Sequence, residues 1–251
     1  MATTSSSEES RLHCCFENWI IQQQNDLREL LQTLKDSPGD DKKFCLVIQK
    51  SILHFEQYYE ERAALAPANA PFLFAPPWCT SFENSHLWIA GCRPSLAIRL
   101  IYTLSGSQIE SHLTEYLQGV RRGNLGELTC EQLGLVNDLQ CKIYKEEEKL
   151  SNKMASMQED IADDPLALIA NEFDSGRVGE SNDDVDRALD AHSLALATIL
   201  KDADKLRLST LKELLAILTP FQAIDYLIAA KKLHLSMHEW GKRRDQQHGS
   251  I

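Results

Sequence analysis

A chain of 251 residues with 43% hydrophobic and 25% charged residues carries enough apolar material for a proper core. Its formal charge of −11 excludes non-specific nucleic-acid binding by the whole surface, because neutralising phosphates needs a basic footprint. No apolar run approaches the roughly 20 residues that cross a bilayer, and residues 1–11, rich in Ser, Thr and Glu, show no secretory leader and read as a flexible tail.

The first helix is expected from about Leu12 to Lys35, with Phe16, Ile20, Leu27, Leu30, Leu31 and Leu34 as its apolar stripe and Ser37-Pro38-Gly39 as its stop. A second, from about Asp40 to Ala66, carries Phe44, Ile48, Ile52, Phe55 and Tyr59 at helical spacing. Pro67 and Pro71 close it and open an irregular, mobile stretch, 67–79. Thr80-x-x-Glu83 has the form of a capping box for a short helix through Leu87, Trp88 and Ile89, ended by Gly91. Pro94 suits the first turn of the next helix, through Ile98, Leu100 and Ile101.

Ser107-x-x-Glu110 and Thr129-x-x-Gln132 read as two further capping boxes, the second opening a long charged helix that reaches about Asp160. Residues 174–184 turn polar and read as a second mobile loop. Beyond it Val185, Leu189, His192, Leu196, Ile199, Ala203, Leu206 and Thr210 alternate steps of four and three, as in a heptad seam, and Leu214 and Leu218 continue it. Thr219 caps the last helix and Pro220 takes its first position, with 246–251 as a flexible end. No segment shows convincing period-two alternation. The expected fold is all-α, one domain over 12–245, a bundle of long antiparallel helices.

Catalytic signatures are missing: the sequence has no phosphate-cradling Gly-rich loop, no G-x-S-x-G elbow and no H-E-x-x-H. The seven cysteines lack Cys-x-x-Cys spacing and read as reduced thiols. Glu146-Glu147-Glu148 reads as a solvated face. The last helix stands apart. His234 and His238 lie one turn apart on one face, near Met237 and Trp240, among Lys231, Lys232, Lys242, Arg243 and Arg244. By spacing alone they read first as a partly exposed helix end with cations near its C-terminus. An i, i+4 pair also suits convergence on one metal ion. It suits bis-axial haem poorly, because the two nitrogens must approach opposite faces of the ring.

The stretch Ser85-His86-Leu87-Trp88-Ile89-Ala90-Gly91-Cys92-Arg93-Pro94-Ser95 resembles the W-(M/I)-x-G-(C/F)-R-P-S signature of the plant Delay of Germination domain family. That domain also forms the C-terminal part of the TGA bZIP transcription factors. Phe16 to Gln23, Lys145 to Lys149, Leu206 to Ala223 and Lys231 to Gly241 agree with the family as well, so the resemblance covers about Leu12 to Asp245. It implies a non-enzymatic regulator of seed dormancy and abscisic acid signalling, in the nucleus and also the cytoplasm, with no membrane partner. His234 and His238 match the family's two haem histidines, so the resemblance names them as ligands of haem iron. It names clade-A type 2C protein phosphatases as partners, restrained through the first helix. Phe16 and Trp19 match the aromatic and the Trp of that contact, while Cys14 and Cys15 replace the acidic and serine residues before them. The alternative implied by the TGA branch is a transcriptional cofactor that forms homodimers or pairs with TGA-type partners through the heptad-like helix, with a fatty acyl chain as its ligand. Only about a dozen polar residues precede the first helix, which argues against direct DNA binding through a basic region and zipper.

Overall fold

The computed structural model describes residues 2–163, 167 and 183–249, and among these it contains helices and turns but no strand. In chain order the helices are α1 (Ala2–Asp36), α2 (Asp41–Phe74), α3 (Ser81–Asn84), α4 (Ser95–Ser111), α5 (Leu113–Leu117), α6 (Cys130–Glu159), α7 (Asp183–Ile217) and α8 (Pro220–Gln247). Short 3-10 turns stand at Leu125–Glu127 and Asp160–Ala162. The all-α expectation holds.

Three capping boxes start helices where the sequence places them. Thr80, Thr129 and Thr219 each accept a hydrogen bond from the backbone N–H three residues on, and Glu83, Gln132 and Gln222 each reach back to the cap's own N–H. Pro220 sits in the first turn of α8, where its missing N–H costs nothing. The fourth expected box fails. Ser107 lies inside α4, which runs unbroken to Ser111, and its hydroxyl is not a cap.

Other boundaries differ from expectation as well. The expected N-terminal tail is helical from Ala2, since the turn anchored by buried Leu12 and Cys15 propagates outward through residues compatible with helix. The stretch expected to be irregular from Pro67 is helical to Phe74. The helix breaks instead at Asn69, with φ −150° and ψ 44°, so Pro71 falls in the first turn after the break, where no backbone donor is needed. Of the expected loop 174–184, residues 174–182 lie outside the described residues, and Asp183 and Asp184 begin α7. The short helix at Thr80 ends at Asn84, before Leu87.

Cross-helix pairs fix the topology. Glu29 meets Lys50, Glu56 meets Lys212, Lys142 meets Glu213 and Asp26 meets Lys231. Each pair joins one helix to its antiparallel neighbour: α1 to α2, α2 to α7, α6 to α7 and α1 to α8. The heptad-like stripe of α7 is buried from Leu196 to Leu218, except for half-buried Leu206, and packs inside the chain against α2 and α6. That face is therefore already occupied.

The core falls into two apolar blocks. One gathers Leu30, Phe44, Ile98, Ile101, Leu125, Ile143, Leu214, Ile224 and Leu227. The other gathers Leu12, Ala66, Ala70, Ile89, Met157, Leu196, Ile199, Leu200 and Ala203. Fully burying such a side chain stabilises the fold by about 1.5–3 kcal/mol for the larger aliphatics and Phe. Between the blocks, at the same helical spacing, α1 places Gln23 and Asp26, α2 places Ser51 and Arg62, α6 places Glu147, α7 places Asp204 and Arg207, and α8 places Lys231, all buried. A belt of ion pairs thus crosses the middle of the bundle. Within it Lys231 Nζ donates to Asp26 Oδ2 and Gln23 Oε1, each at 2.9 Å, while His54 Nδ1 lies 2.7 Å from Asp26 Oδ1. Burial pulls the Lys231 ammonium below the usual lysine range, and Asp26 opposes that pull.

Candidate functional site

α3 is four residues long, and it exists because Thr80 and Glu83 cap its N-terminus reciprocally. Glu83 Oε2 accepts from the Thr80 amide at 2.9 Å and from the Thr80 hydroxyl at 2.8 Å. Its other oxygen, Oε1, lies 2.9 Å from Nδ1 of His238 on α8. A helix cap therefore also orients one of the two histidines. Burial pushes the Glu83 carboxyl up, but the hydrogen bonds from His238 and Thr80 and the charge of His238 outweigh it and hold it below the ordinary glutamate value.

α3 and α8 are in close contact. At Gly241 an added Cβ would overlap the Thr80 side chain, so the approach requires glycine there. One turn further, Asp245 Oδ2 accepts from the Ser81 amide at 2.9 Å. His238, Gly241 and Asp245 thus form the face that α8 turns to α3, and His238 is only 4% exposed.

His234 lies one turn before His238 on the same unbroken helix. The residue is half-buried, yet its Nε2 is enclosed and meets no hydrogen-bond partner. Burial pushes its pKa down to about 4; Glu83 works against the shift, while His238 and Lys231 add to it. The ring is consequently neutral at physiological pH.

The first helix closes the site from the other side. Phe16 meets the His238 ring edge-on, with centroids 5.7 Å apart. Trp19, one turn on, is 8% exposed; it stacks on Tyr58 at 4.3 Å and meets the edge of Phe55 at 4.8 Å. Of the four residues singled out in the sequence, Phe16 and His238 are in direct contact across α1 and α8, and His234 lies one turn from His238 on α8. Trp19 packs into α2 rather than facing solvent. Glu83 is the residue of this cluster that the sequence does not announce: its spelling shows a cap and gives no sign of a partner for its second oxygen.

Haem iron takes a neutral imidazole through an unprotonated ring nitrogen. The unpartnered Nε2 of His234 and the neutrality of its ring fit that requirement in donor chemistry, but the atom is enclosed, so an iron reaches it only if the packing around α8 opens. His238 holds the carboxylate hydrogen bond that commonly orients a metal-bound histidine. Because α8 is regular through both positions, the two rings cannot clamp opposite faces of one porphyrin within a single chain. The donors fit one histidine per iron, and His234 is the freer of the two. Among the described residues, no group of three or more His, Cys, Asp or Glu is placed to hold a bare metal ion.

No helix among the described residues is long and apolar enough to cross a membrane. The family model for DOG1, seed dormancy control, matches residues 25–103. Over nearly its full length the chain is 38% identical to "Protein DOG1-like 1" of Arabidopsis thaliana, covering 98% of this chain and 94% of that protein. It is 28% identical to "Protein RESPONSE TO ABA AND SALT 1" of the same plant, over 98% and 99% of the two chains. A weaker likeness, 25% identity, links 88% of the chain to 61% of "Transcription factor TGA5". The chain therefore belongs to the DOG1 seed dormancy control family.

Proposed function

We propose that this protein is a non-enzymatic regulator of seed dormancy and the abscisic acid response, acting in the nucleus by binding clade-A type 2C protein phosphatases and haem. The observation that carries the reading is the 38% identity over 98% of the chain to a DOG1-like protein. The likeness to a relative named for its response to abscisic acid and salt supports its physiological setting.

In this reading the phosphatase docks on the N-terminal half of α1. The exposed side there carries Glu17, Asn18 and Ile21, with half-buried Phe16 at its margin. Trp19 holds that helix in place through Tyr58 and Phe55 and is a positioning residue. Haem uses His234 as its ligand, with Glu83 and His238 shaping the surroundings. Bound there, haem supplies a redox- and ligand-sensitive group; the chain's own residues contribute a neutral imidazole nitrogen and a low-water environment.

A pull-down with clade-A type 2C phosphatases, run with and without haem, tests the partner. Retention that falls on Ile21→Ala/Asn18→Ala with the fold intact is expected, and failure of the wild type to retain any such phosphatase rejects it. Haem titration followed in the Soret band tests the cofactor separately. The band shift is expected to vanish in His234→Ala and to survive in His238→Ala. An unchanged shift in the double mutant removes both histidines as ligands.

A further inference from the structure

The signature segment contains a four-residue turn, Trp88 to Gly91. The Trp88 amide donates to the Gly91 carbonyl at 2.7 Å and the Gly91 amide returns a bond to the Trp88 carbonyl at 3.2 Å. Its two central residues, Ile89 and Ala90, have φ of 44° and 56°. Left-handed backbone at both central positions is the type I′ turn, which ordinarily uses Asn-Gly. Isoleucine is among the residues least suited to it, because a β-branched side chain collides with its own backbone at positive φ. Nothing in the dipeptide Ile89-Ala90 favours this conformation, so something outside the turn must hold it.

Two buried arginines do. Arg207 of α7 donates from Nη2 to the carbonyls of Trp88, at 2.5 Å, and Ile89, at 2.8 Å, and from Nε to the carbonyl of Cys92 at 2.7 Å. Its remaining nitrogen, Nη1, donates to Asp204 at 2.5 Å. Arg62 of α2 donates to the carbonyl of Ala90 at 2.9 Å and faces the other Asp204 oxygen at 3.4 Å. Four successive-segment carbonyls, those of residues 88, 89, 90 and 92, thus converge on two guanidinium groups braced by one carboxylate. Gly91 is required by the same grip, since a Cβ there would come within 2.8 Å of the Arg207 guanidinium carbon. The Trp88 ring lies under Arg207 at 5.5 Å, and its indole N–H donates to Ser151 of α6 at 3.0 Å.

We propose that residues 88–92 form a sprung clasp: a turn held in a strained backbone by Arg207, braced by Arg62 and Asp204, which relaxes and loosens the α2–α7 seam when that grip is lost. The effect reaches α1. Arg62 also donates to the Tyr58 hydroxyl at 3.4 Å, and Tyr58 is the ring on which Trp19 stacks. The clasp is a two-state element of the kind through which a distant change can reset a surface. It stands on these contacts alone and is independent of the phosphatase and haem reading.

A double-mutant cycle on the full chain tests it. Ala90→Gly removes the Cβ that makes positive φ costly, and is expected to raise the melting temperature by about 2 °C. In an Arg207→Lys background the fork onto three carbonyls is gone, so the turn is free to return to negative φ. There the same glycine is expected to give no rise, because it only adds freedom to the unfolded chain. Tryptophan emission of Arg207→Lys is expected to shift to the red as Trp88 loses its packing. Equal gains in both backgrounds, or no gain in the wild type, would overturn the proposal, since Arg207 would then be an ordinary buried cation. If Arg207→Lys does not fold, Arg62→Lys releases the Ala90 carbonyl alone and carries the same cycle with the same two outcomes.

Discussion

Phe16 and His238 touch edge to face across the α1–α8 seam, their ring planes at 70° to each other. The contact covers part of a histidine whose Nδ1 faces Glu83. Phe16→Ala is expected to destabilise the protein by about 2 kcal/mol, below the range for a fully buried Phe because this one is only half-buried. Urea unfolding measures the loss. The rate at which diethyl pyrocarbonate modifies His238 is expected to rise in the same variant; an unchanged rate means the ring is sealed by other residues.

The pH dependence of stability follows from His234. Its folded pKa is about 4 against an ordinary value of 6.5, so the unfolded chain takes up the proton first as pH falls. Stability is therefore complete above pH 6.5 and is lost progressively toward pH 4, by roughly 3 kcal/mol in all. Glu83, held below its ordinary 4.5, adds a second loss that begins only under that pH. His234→Gln is expected to flatten the stability curve between pH 6.5 and 4.5 and to leave the lower limb. Urea midpoints at closely spaced pH values give the slope.

Lys231 and Asp26 are 1% and 3% exposed at the side chain, and each depends on the other. Lys231→Met leaves Asp26 with His54, Gln22 and Ser51 as partners, and Asp26→Asn leaves a buried ammonium with Gln23. Either change is expected to cost about 3–5 kcal/mol, whereas Lys231→Met/Asp26→Asn costs well under the sum of the two because no charge is stranded. Denaturation of the three variants distinguishes a true ion pair from two independent residues: simple additivity rules the pair out.

Glu147 is fully buried and accepts from the Ser95 amide and from Arg93 Nε, both at 2.6 Å. It joins α6 to the start of α4, where Pro94 supplies no side-chain cap. Glu147→Gln is expected to destabilise by about 2 kcal/mol by weakening two charge-assisted bonds. Arg93→Ala is expected to cost less than half of that, since its side chain is 48% exposed and water replaces its bond. Thermal melts of the two variants check the order, and the reverse order would place the anchor on Arg93.

Helix starts were legible in the sequence because a capping box is local: Thr80, Thr129 and Thr219 carry their partners three residues away. Ser107 shows the limit of that logic, for the same spelling inside an amphipathic helix is simply two polar surface residues. Pro67 and Pro71 announce a break but not its place, and Asn69 takes it because its backbone leaves the helical region there. The polar belt was hidden for a different reason. Gln23, Asp26, Asp204 and Arg207 fall on the core-facing positions of their helices, where pattern reading looks for apolar residues and passes over charges. Their partners lie on other helices, and one sequence does not state such pairings. The candidate site was half legible: His234 and His238 were named, and the resemblance supplied Phe16 and Trp19. That Trp19 is a packing residue, and that Glu83 faces His238, needed the fold.

The pairing of Lys231 with Asp26 spans 205 positions of the chain. A ribosome delivers the carboxylate long before the ammonium. Until α8 emerges, Asp26 has only the hairpin's own Gln22, Ser51 and His54 as partners and lacks its lysine. Closing this seam is thereby assigned to α8, the helix that also carries both histidines, so a nascent chain that stalls before α8 displays an unclosed α1 to chaperones and proteases.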